Sequence, residues 1–355
     1  DTMDEEMKNK SNEVFLEVKG LRTHFFTDEG VVKAVDGADF QVRRGKTLCI
    51  VGESGCGKSI TARSILQLLT NIGKIVEGEI LLSRDSGEIL DLAALKPQSK
   101  VMQSIRGKEI SMIFQEPMSS LSPVHTIGNQ IMEAIQLHFD ADKKEAKRRA
   151  IDVLQRVGIP KAETRLGSYV FELSGGMRQR AMIAMALSCQ PRLLIADEPT
   201  TALDVTTQAN ILDLIRELQK DMDMTIIFIT HDLGVVAEIA DEVVVMYLGK
   251  AVESGDVDTI FHDPKHPYTR ELLQSIPKLG SLDRGRLQPI PGMVPHPFAR
   301  PKGCDFHPRC KSFLQDTCDQ IEPSAIRLSE NSHVRCLLYG GAEKEQSTSI
   351  HSEKF

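Results

Sequence analysis

The densest chemistry in this 355-residue chain lies in eight residues, Gly52-Glu53-Ser54-Gly55-Cys56-Gly57-Lys58-Ser59. A polyphosphate needs many donors at close range without side-chain crowding. Gly52, Gly55 and Gly57 let backbone N–H groups converge on such an anion, and a following helix start adds a favourable dipole. Lys58 can reach the β/γ-phosphates, and the Ser59 hydroxyl can bind Mg²⁺. Far downstream, Asp197 and Glu198 close the apolar run Leu193-Leu194-Ile195-Ala196. Two carboxylates buried there are expensive unless a cation or a proton transfer employs them. His231 follows Thr225-Ile226-Ile227-Phe228-Ile229-Thr230, where the carboxyl end of a parallel strand would bind ligands. Ser174, ahead of Gly175-Gly176 and the apolar-periodic run Met177 to Leu187, reads as a helix N-cap able to hold a second anion. Cys304, Cys310, Cys318 and Cys336 form a late cluster. Thiolate-only sets of four suit Fe–S clusters or Zn²⁺, although the paired C-x2-C knuckles of common zinc modules are missing.

Each of these has a plainer reading when taken alone. The glycines could be a chance turn, Asp-Glu a helix cap or surface ion pair, and His231 a structural histidine. The late cysteines could be unligated thiols or oxidised pairs. Order along the chain decides against the plainer readings at the phosphate loop and the acidic strand end.

The elements needed to position these residues are present in the pattern. Thr47-Leu48-Cys49-Ile50-Val51 is a short apolar strand that stops at Gly52, and Lys58 to Leu69 has helical spacing at Ile60, Ile65, Leu66 and Leu69. Phe15 to Val18 and Ala38 to Val42 read as strand. From about Pro117 to Leu187 the pattern is mostly helical, with Ala141 to Arg156 an amphipathic helix. Leu193 to Ala196 and Thr225 to Thr230 read as buried strands separated by a helix from Thr207 to Leu218, which favours a parallel sheet. Glu242 to Met246 is a further strand. Beyond Phe261 prolines become frequent and mark a C-terminal appendage.

Composition bounds the function. A formal net charge of -7 argues against a broad basic surface for nucleic acid. Residues 1–12 are polar, without the apolar segment of a signal peptide, and no apolar run reaches the roughly 18 residues of a membrane span. The expectation is a soluble protein whose membrane role comes through a partner. In such a compartment the late cysteines favour metal over disulfide.

The order of phosphate loop, Leu173-Ser174-Gly175-Gly176-Met177-Arg178-Gln179-Arg180, and acidic strand end resembles the ATP-binding-cassette (ABC) ATPases. The resemblance extends over about residues 13–340. It implies an α/β, RecA-like P-loop cassette with a helical subdomain and a small cysteine-bearing C-terminal domain. It also implies ATP contacts from residues 52–60 (Gly52, Glu53, Ser54, Gly55, Cys56, Gly57, Lys58, Ser59, Ile60) and an aromatic stack on adenine from Phe25, with Phe26 the rival. Asp197 would support Mg²⁺ through water, and Glu198 would polarise the attacking water. His231 would contact the γ-phosphate, and Gln115 would bind Mg²⁺ or that water. Ser174, Gly175 and Gly176 would face the γ-phosphate held by a second cassette, with Thr201-Ala202-Leu203-Asp204 crossing the interface.

Narrower motifs select a branch. Phe114-Gln115-Glu116-Pro117-Met118-Ser119-Ser120-Leu121-Ser122-Pro123, and His266-Pro267-Tyr268-Thr269 with Leu272-Leu273 and Ser275-Ile276-Pro277, resemble oligopeptide/dipeptide importer ATPases. Cys56 and Ser122 depart from that pattern, standing where relatives commonly show Ser and Asn. In this branch the four-cysteine pattern is associated with a [4Fe–4S] cluster, with Zn²⁺ as the alternative. The resemblance implies residues 13–260 as the cassette (helical subdomain about 117–187) and 261–340 as the C-terminal domain, with a disordered leader at 1–12 and a flexible tail at 341–355. It implies an ATPase driving di-/oligopeptide import at the cytoplasmic face of the membrane. Its partners would be a second ATPase, favoured to be a different chain, two permease subunits and an extracytoplasmic substrate-binding protein. Import of nickel or an oligosaccharide, or a non-transport ABC ATPase, are the alternatives.

Overall fold

The computed structural model describes residues 13–115, 120–201, 203–275, 290–296, 298–329 and 331–340. The expected leader and tail, Glu116 to Ser119 of the glutamine segment, Ala202 and Ile276-Pro277 lie outside the described residues.

The centre is an eight-stranded sheet of order β11-β12-β10-β9-β3-β8-β7-β6. Its parallel part comprises β3 (Thr47–Val51), β6 (Ile110–Ile113), β7 (Leu193–Asp197), β8 (Thr225–Ile229) and β9 (Glu242–Tyr247). Every residue of β3, β7 and β8 is buried, the pattern of strands covered on both faces. The period-2 alternation sends neighbours to opposite cores. Cys49, Val51, Leu194, Ala196, Ile226 and Phe228 join the core on one face, while Leu48, Ile50, Leu193, Ile195, Ile227 and Ile229 join the core on the other.

The first core is closed by helices. These include α3 (Ile127–His138), α4 (Lys143–Arg156), α6 (Gly175–Leu187) and α7 (Val205–Met222). Each starts on a side-chain cap: Thr126, Asp142, Ser174 and Asp204 accept from the N–H three residues on. The second core is closed by α1 (Lys58–Ile65) and by an antiparallel sheet of order β2-β1-β4-β5, made of β1 (Val14–Thr27), β2 (Gly30–Arg43), β4 (Gly73–Ser83) and β5 (Ile89–Asp91).

Helix α1 is shorter than the sequence spacing predicts. It ends at Ile65, and Gln67 adopts φ 52°. The Gln67 amide then donates to the carbonyls of Leu92 (2.6 Å), Ala93 (3.2 Å) and Leu95 (2.7 Å), so the turn is held by long-range bonds rather than by further helix.

The C-terminal segment builds onto the main sheet. β12 (His333–Val334) pairs with β10 (Lys250–Asp256), and β11 (Ile326–Arg327) pairs with β12. Residue 260, the expected end of the cassette, lies inside a helix, Val257–His262. No described helix is long and apolar enough to cross a membrane.

Candidate functional site

The carboxyl ends of β3, β7 and β8 gather most of the residues singled out above. Beyond β3 the chain turns through Gly52 and Gly57, at φ 149° and 98°. A Cβ on Gly52 would sit 2.3 Å from the Met246 carbonyl, and one on Gly57 would sit 2.4 Å from the Ala34 carbonyl, so the turn requires glycine. Lys58 is 6% exposed; its ammonium donates to the carbonyls of Gly52 (2.7 Å) and Glu53 (3.2 Å). Those bonds hold the cation inside the loop until an anion competes for it. Ser54 and Gly55 are exposed, and Ile60 is half-buried.

Asp197 ends β7 fully buried and accepts a 2.9 Å bond from the Ser59 hydroxyl. Burial pushes its carboxyl pKa up, the Ser59 bond pulls it back, and the charge of Glu198 raises it again. A divalent cation between Ser59 and Asp197 would reverse that rise, so the pair fits Mg²⁺.

Glu198 is held by three partners. Gln115 donates to one carboxylate oxygen at 3.0 Å, Thr201 to the same oxygen at 3.0 Å, and His231 Nδ1 lies 3.4 Å from the other. The Glu198 backbone sits at φ 47°, a strained choice for a non-glycine residue, and its N–H donates to the Ile229 carbonyl at 2.9 Å. The strain turns the carboxylate off the strand end toward Gln115 and His231. The His231 side chain is 61% exposed, open to a ligand from solvent. A carboxylate base contacted by an amide and an imidazole, next in the chain to a buried, cation-competent aspartate, can order a water against a phosphate.

Ser174, Gly175 and Gly176 are not drawn into this cluster. Ser174 caps Met177 at 3.4 Å, Ser174 and Gly175 are exposed, and a Cβ on Gly175 would meet nothing within 4 Å. Further along α6, the Gln179 amide donates to the carbonyl of Pro199, tying this helix to the turn that carries Glu198. Sequence reasoning missed Gln179 and Thr201 in these roles. Both stand inside segments already noticed, but only the fold shows what they touch.

The two aromatic candidates separate. Phe25 is half-buried opposite Gly73, where a Cβ would come within 2.8 Å of its ring. Phe26 is 45% exposed, with the Lys74 ammonium 5.9 Å from its ring centroid.

Cys56 is 2% exposed, and burial pushes its thiol up against the pull of Lys58. That suits a packed loop residue rather than a reactive thiolate. All four late cysteines are free. Burial pushes the Cys304 thiol up to about 12, with further rises from Cys318, Cys336 and Cys310. Burial likewise pushes up the thiols of Cys310 and Cys336, and the backbone near Phe306, Ser312 and Leu338 pulls against that rise at Cys304, Cys310 and Cys336. Among the described residues no set of three or more His, Cys, Asp or Glu is arranged to hold a metal ion.

The loop has two further neighbours that the sequence did not foretell. Tyr268, of the His-Pro-Tyr-Thr segment, and Arg309, between Cys304 and Cys310, both bond Glu53.

Known proteins resemble this chain in sequence and fold. Residues 35–201 match the family model for ABC transporters, and residues 252–318 match the model for the oligopeptide/dipeptide transporter C-terminal region. A putative peptide import ATP-binding protein of Brucella ovis is 51% identical over 335 residues, covering 93% of this chain and 98% of that relative. The oligopeptide transport ATP-binding protein AppD of Bacillus subtilis is 50% identical, covering 94% and 99%. The dipeptide transport ATP-binding protein DppD of the same organism is 47% identical, covering 92% and 95%. Among solved structures, cbiO1 of Clostridium perfringens, part of an ABC transporter complex, aligns with TM-score 0.58 and 27% identity over 71% of this chain and 92% of that one.

Proposed function

The chain belongs to the ABC transporter ATP-binding proteins, in their oligopeptide/dipeptide branch, and on that premise we propose how its residues drive peptide import. It is the ATPase that powers the importer. The observation that carries the residue assignment is the convergence of Gln115, Thr201 and His231 on Glu198, beside the Ser59–Asp197 pair.

The loop amides and Lys58 receive the phosphates of ATP, Lys58 exchanging its two carbonyl partners for phosphate oxygens. Ser59, Asp197 and Gln115 are the residues that would hold Mg²⁺, which neutralises phosphate charge as the γ-phosphate leaves. Glu198 accepts a proton from the attacking water, and His231 donates a hydrogen bond toward the γ-phosphate. Phe25 or Phe26 stacks on adenine; the exposure of Phe26 speaks for it, whereas the Phe25 ring is occupied by Gly73.

The half-site is completed in trans. Ser174, Gly175 and Gly176 present a capped helix start with open space before it, suited to the γ-phosphate of a second ATPase subunit. That partner is a sister chain rather than an identical copy. Two permease subunits attach the pair to the cytoplasmic face of the membrane, and an extracytoplasmic binding protein delivers peptide.

The four late cysteines hold a [4Fe–4S] cluster, with Zn²⁺ as the alternative. What supports this reading is the family pattern of the four cysteines and their electrostatic reach of one another, with Cys310, Cys318 and Cys336 each raising a neighbour's thiol pKa; a bound cation would have to reverse those rises. Iron, sulfide and zinc analysis on protein purified without oxygen tests this; absence of all three would remove the centre.

The functional test uses the chain reconstituted with its permease subunits and binding protein in vesicles. ATP turnover should rise with a peptide ligand and not with nickel or an oligosaccharide. Stimulation by either of the latter instead would replace the peptide reading.

A further inference from the structure

One phosphate-loop residue, Glu53, is held at both its backbone and its side chain by the C-terminal segment. Its N–H donates to the Tyr268 hydroxyl at 2.9 Å. Its carboxylate receives a two-pronged bond from Arg309, at 2.7 Å and 3.0 Å. The Arg309 side chain is only 3% exposed, and its remaining donors reach the carbonyls of Pro291 (3.1 Å) and Ile290 (3.5 Å) and the Tyr247 hydroxyl (3.4 Å).

Packing fixes both arms. The rings of Tyr247, Tyr268 and Phe306 lie 4.7 to 5.3 Å apart, and the Arg309 guanidinium lies 5.8 Å and 5.9 Å from the centroids of Tyr247 and Phe306. Arg309 itself sits in a 3-10 turn, His307–Arg309, between Cys304 and Cys310. A buried charge pair costs more to desolvate than apolar packing of the same volume, so mere adhesion of the two segments does not call for one. What the pair does here is electrostatic. A carboxylate in a loop that must receive a polyphosphate repels its ligand unless a cation neutralises it.

We propose that Arg309, with Tyr268, is a positioning residue for ATP, fixing the phosphate loop and cancelling the charge of Glu53, so that the cysteine-bearing segment sets nucleotide affinity. The proposal rests on the reading of residues 52–59 as the phosphate loop. Neither residue touches the nucleotide in this account; both act through Glu53.

The test is a fluorescence titration of a mant-labelled ATP with Mg²⁺ against the full chain and its variants, alongside their melting temperatures. Arg309→Met should weaken binding about tenfold, because it leaves the charge of Glu53 uncancelled beside the phosphates. Adding Glu53→Gln removes the stranded carboxylate and should restore most of the affinity, which a purely structural role would not do. Arg309→Lys should fall between. Should Arg309→Met fail to fold, Tyr268→Phe keeps the ring cluster and removes only the acceptor, with an expected weakening of about threefold. A double variant as weak as Arg309→Met, or a Tyr268→Phe variant with wild-type affinity, would overturn the proposal. Lys58→Ala is the control for the premise: unchanged binding there would overturn the phosphate-loop reading, and this inference with it.

Discussion

Two glycine-bearing helix starts meet opposite surroundings in this molecule. At Gly57-Lys58 the loop is closed: Lys58 is buried on two backbone carbonyls, Ser59 bonds Asp197, and Glu53 is gripped from outside the cassette. At Ser174-Gly175 the helix start is exposed, its serine spent on its own Met177, and among the described residues no atom lies within 4 Å of where a Gly175 Cβ would stand. Both termini carry partial positive charge and free backbone N–H groups, one of which is taken at the second start by the Ser174 cap on Met177. The difference teaches that anion affinity in the second is not built for a ligand held by its own loop. On the proposed reading, such a chain binds its nucleotide alone and needs a second surface to react.

The largest effect expected is at the closed end. Glu198→Gln keeps shape and one acceptor oxygen for Gln115 and Thr201 but loses the base, so turnover should fall about 10³-fold while ATP affinity stays within about threefold, measured by phosphate release and by titration. Next comes the contrast itself. Ser174→Arg should lower turnover about 10²-fold with ATP affinity of the single chain unchanged, because it obstructs only the open start. Lys58→Ala should do the reverse, abolishing affinity first. Equal effects of both variants on binding would erase the distinction between the two starts.

The support beneath the closed end gives a pH handle. His266 is fully buried at the start of the helix Pro267–Gln274, its Nδ1 accepting the Tyr268 N–H at 3.1 Å. Burial depresses its pKa to about 3, against a weaker opposing pull from the Arg335 backbone. The folded state therefore favours the neutral ring. Stability is complete above the unfolded value near 6.5 and declines as pH falls from there toward 3, by at most about 1.4 kcal/mol per unit. His266→Asn, which retains a capping acceptor, should flatten that slope in thermal melts between pH 7 and pH 4. The smallest effect is Ser174→Ala, which removes a helix cap and should cost about 1 kcal/mol of stability by denaturant titration.

The closed site was legible because its parts are local. Strand, glycine turn and helix run consecutively from Thr47 to Ile65, and the runs before Asp197 and His231 are continuous apolar strands. Ser174 announced itself as a cap. The antiparallel sheet from Val14 to Asp91 was only half legible, since register shifts interrupt the pairing of β1 with both β2 and β4 and break its alternation. Two-residue strands such as β12 carry no period at all. Contacts such as Arg309 with Glu53, 256 residues apart, leave no local mark. The His-Pro-Tyr-Thr segment was noticed as a branch marker; that its tyrosine reaches the phosphate loop came only from the fold.

On the proposed function, the open start of one cassette completes the closed site of another. The most direct measurement is the solution mass of Glu198→Gln at saturating Mg-ATP, by light scattering, with its partner ATPase present. An ATP-dependent shift from the 39.4 kDa chain to the mass of a cassette pair is expected, lost again in Ser174→Arg. A Glu198→Gln chain that holds ATP and stays monomeric beside its partner would contradict it.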